Sequence, residues 1–329
     1  MSVRLYALLS LSICLTLATA ACAQDKKAAV TDPAKADADY AIQGEYAGEY
    51  THEGQTVKVG IQVIALGDGK FHAVSYQGGL PGAGWDKGKK VETDGATKDG
   101  VTIFSNDNGK AEIKDGVLTI SDPAGKKVGE CKKIERTSPT LGLKPPEGAK
   151  ILFDGTSLDA LNGGILTENK LLTPKGNIKS KDKFGSITVH MEFQLPYMPH
   201  ARGQGRGNSG FYIADRYECQ ILDSFGLKGV NNECGGFYTL RDPDQNMCLP
   251  PLAWQTYDIE YTAPTFEDGK KTKPAVVTVK HNGVLVHDKY ELPKETPGGQ
   301  KEAADPGAVH LQDHGNPVMF RNIWVVEKK

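Results

Sequence analysis

Short runs in which apolar and polar residues alternate recur along most of the chain, and a period of two is the pattern of a strand with one face in a core. Val57, Val59, Ile61 and Val63 alternate in this way, Gly67-Asp68-Gly69-Lys70 supplies a turn, and the stretch from Phe71 to Tyr76 returns, so the pattern predicts a hairpin. Similar pieces at 101–104, 117–120 and 128–132, punctuated by Lys114-Asp115-Gly116 and Asp122-Pro123-Ala124-Gly125, extend it into a β-meander over residues 40–136. A small barrel or sandwich is expected there, its role not legible. In the glycine-rich loop 78–85, Trp85 reads as a plug for the end of such a barrel, or else as an exposed ring for stacking on a sugar.

Residues 137–148, with Pro139, Pro145 and Pro146, read as a linker. Beyond it, residues 149–329 resume the strand pattern. Ile187, Val189, Met191 and Phe193 form one apolar face, the stretch 276–287 is a hairpin turning at Asn282-Gly283, and a long last strand from Val309 to Val326, broken at Gly315, should close a sandwich. No long helix is legible. The stretch 208–223 departs from the rest because it is strand-like yet carries acids. Phe211 and Ile213 share a parity in the first run, and Tyr217, Cys219 and Ile221 do in the second, which turns Arg216, Glu218 and Gln220 to the opposite face. A carboxylate and an amide on such a face suit a sugar, which needs acceptors and donors at fixed positions; a solvated polar face would give the same pattern.

Composition supports an all-β reading. The 329 residues are 39% hydrophobic, enough for two ordinary cores, and 38 glycines and 18 prolines imply many turns. A formal net charge of -2 argues against a nucleic-acid or membrane-surface partner held by bulk electrostatics. Arg4 followed by an apolar run to Ala18 and then small residues has the layout of a secretory signal, residues 1–23, too short for a membrane span. Cleavage after Ala23 is one reading, and a lipid anchor on Cys22 is the other; either way the protein is expected to be exported, periplasmic or extracellular. Residues 24–39 then read as a flexible tether. Four cysteines remain after the signal, and an oxidising compartment permits a bond between Cys234 and Cys248, with Cys219 a buried free thiol. No Cys-x-x-Cys spacing points to metal.

Glu218-x-Gln220-x-x-Asp223 is similar to the Glu-x-Asp-x-x-Glu strand of family 16 glycoside hydrolases, with Gln220 unable to act as the assisting acid and Asp223 one carbon short. The wider context more closely resembles the 3-keto-disaccharide hydrolases. Five runs carry the likeness in the family's order: 152–155 (Leu-Phe-Asp-Gly), 208–210 (Asn-Ser-Gly), 217–223 around Glu218, 254–258 (Trp-Gln-Thr-Tyr-Asp), and 311–316 (Leu-Gln-Asp-His-Gly-Asn) with 320–324. No single run is specific, but the ordered set is. The tryptophan usual after the opening motif is missing from the stretch 158–161. The resemblance implies a concanavalin A-like jelly-roll β-sandwich over residues 149–329 acting on 3-keto-glycosides by hydrolysis or elimination. A non-catalytic carbohydrate-binding module on the same fold is the alternative.

Under that resemblance the expected catalytic residues are Glu218, His314 and Asp223, and the expected sugar-binding residues are Gln220, Asn208, Arg206, Tyr212 and Gln312. His310, Gln312 and His314 share the parity of the polar face if Val309 and Leu311 face the core. A conventional glycosidase needs two carboxyls about 5 to 9.5 Å apart, whereas five residues of strand separate Glu218 from Asp223 by about 16 Å and put them on opposite faces. A carbonyl at C3 relaxes this need. It makes the C2 hydrogen acidic, so one base, Glu218 or His314, suffices, with Arg206, Gln220 or a divalent cation steadying the enolate. Such a cation needs two or three converging oxygen or imidazole ligands; Glu218, Asp223 and His314 are candidates, but the spacing does not show that they meet. The loop 199–208, with His200, Arg202 and Arg206 among three glycines, is expected to be mobile and able to close over the sugar. Trp254, Tyr257, Asp258 and Trp324 match the family but suit packing.

Overall fold

A computed structural model describes residues 28–328. The expected signal and the Cys22 anchor lie outside the described residues. After two single-turn helices, Pro33–Lys35 and Ala38–Ile42, eight strands follow: β1 (Gly44–His52), β2 (Gln55–Gly67), β3 (Lys70–Gln77), β4 (Lys90–Lys98), β5 (Val101–Asn106), β6 (Gly109–Lys114), β7 (Val117–Ser121) and β8 (Lys127–Ile134). Each pairs antiparallel with the next, and β1 pairs with β8, so the meander closes into a barrel rather than a sandwich. Closure removes both sheet edges. The alternation read in β2 has a second use here: Val59, Ile61, Val63 and Ala65 face the barrel core, while Ile64, with Val74 and Tyr76 from β3, belongs to the core of the following domain. Strand β2 is therefore buried on both faces from Val59 to Ala65.

The second unit begins with β9 (Lys150–Phe153), β10 (Leu161–Asn162), β11 (Ile165–Leu166), β12 (Leu172–Thr173), β13 (Ile178–Phe184) and β14 (Ile187–Gln194). It continues with β15 (Ser209–Ile213), β16 (Tyr217–Ile221), β17 (Trp254–Thr262), β18 (Thr265–Glu267) and β19 (Lys270–Lys273). The last four are β20 (Ala275–His281), β21 (Val284–Leu292), β22 (Gly307–Leu311) and β23 (Met319–Glu327). A five-stranded sheet in the order β10-β13-β22-β15-β16 packs on a larger one in the order β11-β12-β23-β14-β17-β20-β21, with β9 added to β23. This is the expected β-sandwich, and β20 and β21 turn at Asn282-Gly283, both with positive φ.

Four expectations are corrected. The long last strand is two strands, β22 and β23, one in each sheet, because the 312–318 turn carries the chain across the sandwich. The stretch expected as a free tether is docked from Val30 onward: Val30 and Tyr197 exchange backbone hydrogen bonds, and Tyr197 donates to Asp37. Trp85 does not plug the barrel; it packs edge-on against Tyr76, 5.1 Å between centroids, on the wall that meets the sandwich. The bond between Cys234 and Cys248 is not formed. The two thiols are neighbours inside the core, and all four described cysteines are free and buried.

Candidate active site

The inner face of the five-stranded sheet is apolar as the alternation predicts: Phe211, Ile213, Tyr217, Cys219, Ile221, Val309 and Leu311 all join the sandwich core. The opposite face carries the chemistry. Registers align Lys179 of β13 with His310 of β22, His310 with Tyr212 of β15, and Tyr212 with Glu218 of β16, so these four side chains form one cross-strand row.

The row is wired together. Tyr212 donates its hydroxyl to Glu218 Oε2 at 2.9 Å, and its ring stacks on His310 with centroids 4.7 Å apart. His310 Nδ1 lies 2.7 Å from Asp215 Oδ1, while Lys179 Nζ donates to the other oxygen of Asp215, also at 2.7 Å. Asp215 reaches them because Ala214 and Asp215 both take positive φ in the β15–β16 turn, closed by the Arg216 amide donating to Ile213. A carboxylate partner fixes the proton of the neutral ring on Nδ1, which leaves Nε2 a bare acceptor, and it is buried without a partner.

Glu218, Tyr212 and His310 are only 3%, 1% and 4% exposed, because chain crosses the sheet above them. Thr296 Oγ1 accepts the Glu218 amide, Pro297 O stands 3.2 Å from the Tyr212 hydroxyl, and Tyr238 donates its amide to Glu218 O. The face expected to be open is thus roofed. Desolvation is the main cause that pushes the Glu218 pKa up to about 7, with the Tyr212 bond opposing it. Burial pushes His310 down from the ordinary imidazole range, against the pull of Asp215. A carboxyl near its titration point is suited to moving protons at neutral pH, and Tyr212 stands between it and the neutral imidazole of His310. Gly210 makes room for it: a Cβ there would stand 2.2 Å from Glu218 Oε1.

Polar side chains flank the row. Gln312, half-buried, lies 3.4 Å from the Tyr212 hydroxyl, and Gln220 lies 3.3 Å from Gln204. Asn208 donates to the backbone of Gln204 and accepts nothing at its buried Oδ1.

The other expected residues are elsewhere. Asp223 lies past the end of β16 and forms a buried ion pair with Arg206 at 2.6 Å; a guanidinium nitrogen of Arg206 also donates to Ala65 O of the barrel. Arg206 and Asp223 therefore join the two domains. The 199–208 loop is held, not free: Arg202 donates to Leu66 O and Pro199 O, and the His200 ring lies against Gly67. His314 is exposed in the turn after β22. Among the described residues, no three His, Cys, Asp or Glu side chains come together as a metal site, and the candidate ligands Glu218, Asp223 and His314 do not converge. Sequence reasoning noted the parity of His310 but passed over Asp215 and Lys179. Asp at a tight turn beside an acid-bearing strand was the available signal for the first; the mixed, largely polar β13 gave none for the second.

Residues 148–326 match the profile of the 3-keto-alpha-glucoside-1,2-lyase-like domain. A crystal structure of a candidate glycosyl hydrolase from Parabacteroides distasonis ATCC 8503 is 33% identical, covers 56% of this chain and 85% of its own, and superposes with a TM-score of 0.52. Two more candidate glycosyl hydrolases from that organism, 18% and 21% identical, cover 56% and 55% of this chain and 95% and 99% of their own, each with a TM-score of 0.39. No curated protein matches the chain.

Proposed function

Starting from a chain that belongs to the family of 3-keto-alpha-glucoside-1,2-lyase-like domains, we propose that it cleaves 3-keto-glycosides by elimination across C1 and C2, with Glu218 as the proton carrier. One observation carries the reading: Glu218 is buried in the cross-strand row with its pKa raised to about 7, so it can take and return a proton at neutral pH. In the ionised form it removes the C2 hydrogen that the C3 carbonyl makes acidic. The C–H pair becomes the C1–C2 double bond by way of the enolate, the C3 carbonyl is restored, and the C1–O bond breaks. The proton on Glu218 then passes to the departing oxygen. Water adding later to the unsaturated keto-sugar would make the overall result hydrolysis.

Tyr212 steadies one oxygen of Glu218 and leaves the other to act. Gln220 and Gln312 offer amide donors to the C3 oxygen and neighbouring hydroxyls. Lys179, Asp215 and His310 hold Tyr212 in place from its other side. Arg206 and Asp223 are given no part in this chemistry, because Arg206 Nε holds Asp223 at 2.6 Å and the pair reaches Ala65 O of the barrel rather than the cross-strand row.

The test is mass-spectrometric product analysis with a disaccharide and its 3-keto derivative offered side by side. Unsaturated or hydrated keto-monosaccharide from the oxidised sugar alone, a primary isotope effect from deuterium at C2, and its loss in Glu218→Gln with ligand binding retained are the expected results. Cleavage of the unoxidised sugar would overturn elimination, and binding without turnover of either would make the domain a carbohydrate-binding module.

A further inference from the structure

The barrel of β1 to β8 is only half filled. Tyr46, Val63, Phe71, Ile113 and Cys131 pack one half of its core at 4% exposure or less. That half is closed from outside by Tyr197 and Leu252 of the sandwich and by the docked segment around Val30, which belong to the same apolar cluster. The other half is a cavity of about 610 Å³. It opens past the turns β1–β2, β5–β6 and β7–β8, which supply His52, Asn108 and Asp122 to its lining. The opposite end carries the β2–β3 turn, where Gly67 meets His200 of the sandwich.

The emptiness has a cause in the sequence. Registers place Gly95, Phe104, Ala111, Ile120, Gly129 and Tyr50 in one row around six strands, small and large in strict alternation. Such alternation usually lets side chains fill a small barrel. Here one ring lies over the glycine beside it, since a Cβ on Gly95 would stand 2.4 Å from the Phe104 ring, while at Gly129 the strands run so close that a Cβ would stand 2.4 Å from Tyr50 Cβ. Phe104 therefore papers the wall, and the Tyr50 ring sits beside His52, 6.3 Å between centroids, in the lining toward the mouth, which leaves the lumen open.

An eight-stranded barrel has room for side chains or for one small ligand, and this cavity is in the size range of ligand sites. Its floor is apolar, made by Val59, Ile61, Ala73 and Leu118. Its mouth carries hydroxyls and amides, Thr93, Asn106 and Ser121 among them, and its charges balance as two lysines (Lys89, Lys110) and two aspartates (Asp107, Asp122). We propose that the barrel lumen is a second binding site, for a small uncharged amphiphile with an apolar body seated on the floor and a hydroxylated head at the mouth. The apolar floor selects the body, the hydroxyls and amides of the mouth select the head, and the balanced rim gives no preference for net charge. The site is separate from the Glu218 row and does not depend on its chemistry.

The full chain is titrated with N-phenyl-1-naphthylamine, an uncharged dye that fluoresces in apolar surroundings, and the dye is then displaced with octyl glucoside below its micelle concentration. Saturable one-to-one binding is expected, with displacement by octyl glucoside, none by glucose, and at least tenfold weaker displacement by octanoate. Ala111→Trp should weaken dye binding at least tenfold by filling the lumen. Because that variant could fail to fold, Ala111→Cys is folded first and then alkylated with N-phenylmaleimide: it should bind before labelling and not after, with turnover at the sandwich unchanged. Non-saturable dye binding, or binding that survives the plug, would overturn the proposal, and preferred displacement by octanoate would overturn the uncharged head.

Discussion

Tyr212 and Glu218 face each other across the β15–β16 hairpin and are joined by a 2.9 Å bond from the phenol to Oε2. The bond favours the charged carboxylate and so pulls against the desolvation that raises its pKa to about 7. Removing the phenol in Tyr212→Phe leaves desolvation unopposed. A hydrogen bond to a charged group contributes about 1.5 to 3 kcal/mol, which corresponds to about 1 to 2 pH units. The acidic limb of the kcat/KM profile, expected near pH 7 in the parent, should move up by that amount while activity at high pH is largely kept. A uniform loss at all pH values would mean that Tyr212 serves as more than a partner for Glu218.

The same burial has a cost in stability. Glu218 holds its proton more tightly folded (about 7) than unfolded (about 4.5), so its favourable contribution is complete below about pH 4.5 and is lost as pH rises to 7. Above pH 7 the buried charge is a burden of about 3 kcal/mol by linkage. Glu218→Gln, isosteric and neutral, should be more stable than the parent at pH 8 and nearly equal to it at pH 4, as read from urea midpoints. A destabilised variant at pH 8 would show that the carboxylate is a structural anchor rather than a strained functional group.

The two faces of β15 and β16 were legible because alternation is local: one apolar residue in two is enough to place Phe211 inside and Tyr212 and Glu218 outside. The closed barrel was legible only as a meander, since closure depends on the pairing of β1 with β8, more than 70 residues apart. The reading failed where partners come from distant chain. Asp215 and Lys179 meet at His310 through a turn and a strand edge. Asp223 was given a catalytic role because its motif resembles a catalytic one, yet the chain bends after Ile221 and delivers it to Arg206. Motif spacing cannot report such a bend.

The Arg206–Asp223 pair gives a direct check on that correction. Both groups are buried, and Arg206 also reaches Ala65 O in β2. Breaking such a pair from one side leaves an unpaired buried charge and costs about 3 to 5 kcal/mol. Asp223→Asn should therefore lower the melting temperature markedly, while kcat and KM of the remaining folded enzyme stay within about twofold. A selective loss of kcat at unchanged stability would return Asp223 to the active site.

The segment expected as a free linker is held by a second acid–histidine cluster, on the outer face of the larger sheet. Thr140 donates to Asp258, the Gly142 amide donates to Glu192, and Trp324 and Asn322 donate to Leu143 O. Between these carboxylates lies His190, 2.6 Å from Asp258, 3.6 Å from Glu192, and stacked on Trp324. Burial disfavours its charge, but the two acids outweigh burial and raise its pKa. For Glu192, burial is again outweighed, by His190, Asn322, Arg321 and the Gly142 amide, and the pKa falls to about 2. The signs follow from linkage. The histidine contribution is complete below about pH 6.5 and is lost as pH rises through the raised folded value; the Glu192 contribution is complete above about pH 4.5 and is lost as pH falls toward 2. Both are present only between those limits, so the clasp should be tightest near pH 5.5. His190→Gln should cost most stability there, with the gap to the parent narrowing as pH rises to 9, measured as urea midpoints by tryptophan fluorescence. A gap that does not change with pH would mean that His190 contributes packing against Trp324 and no charge.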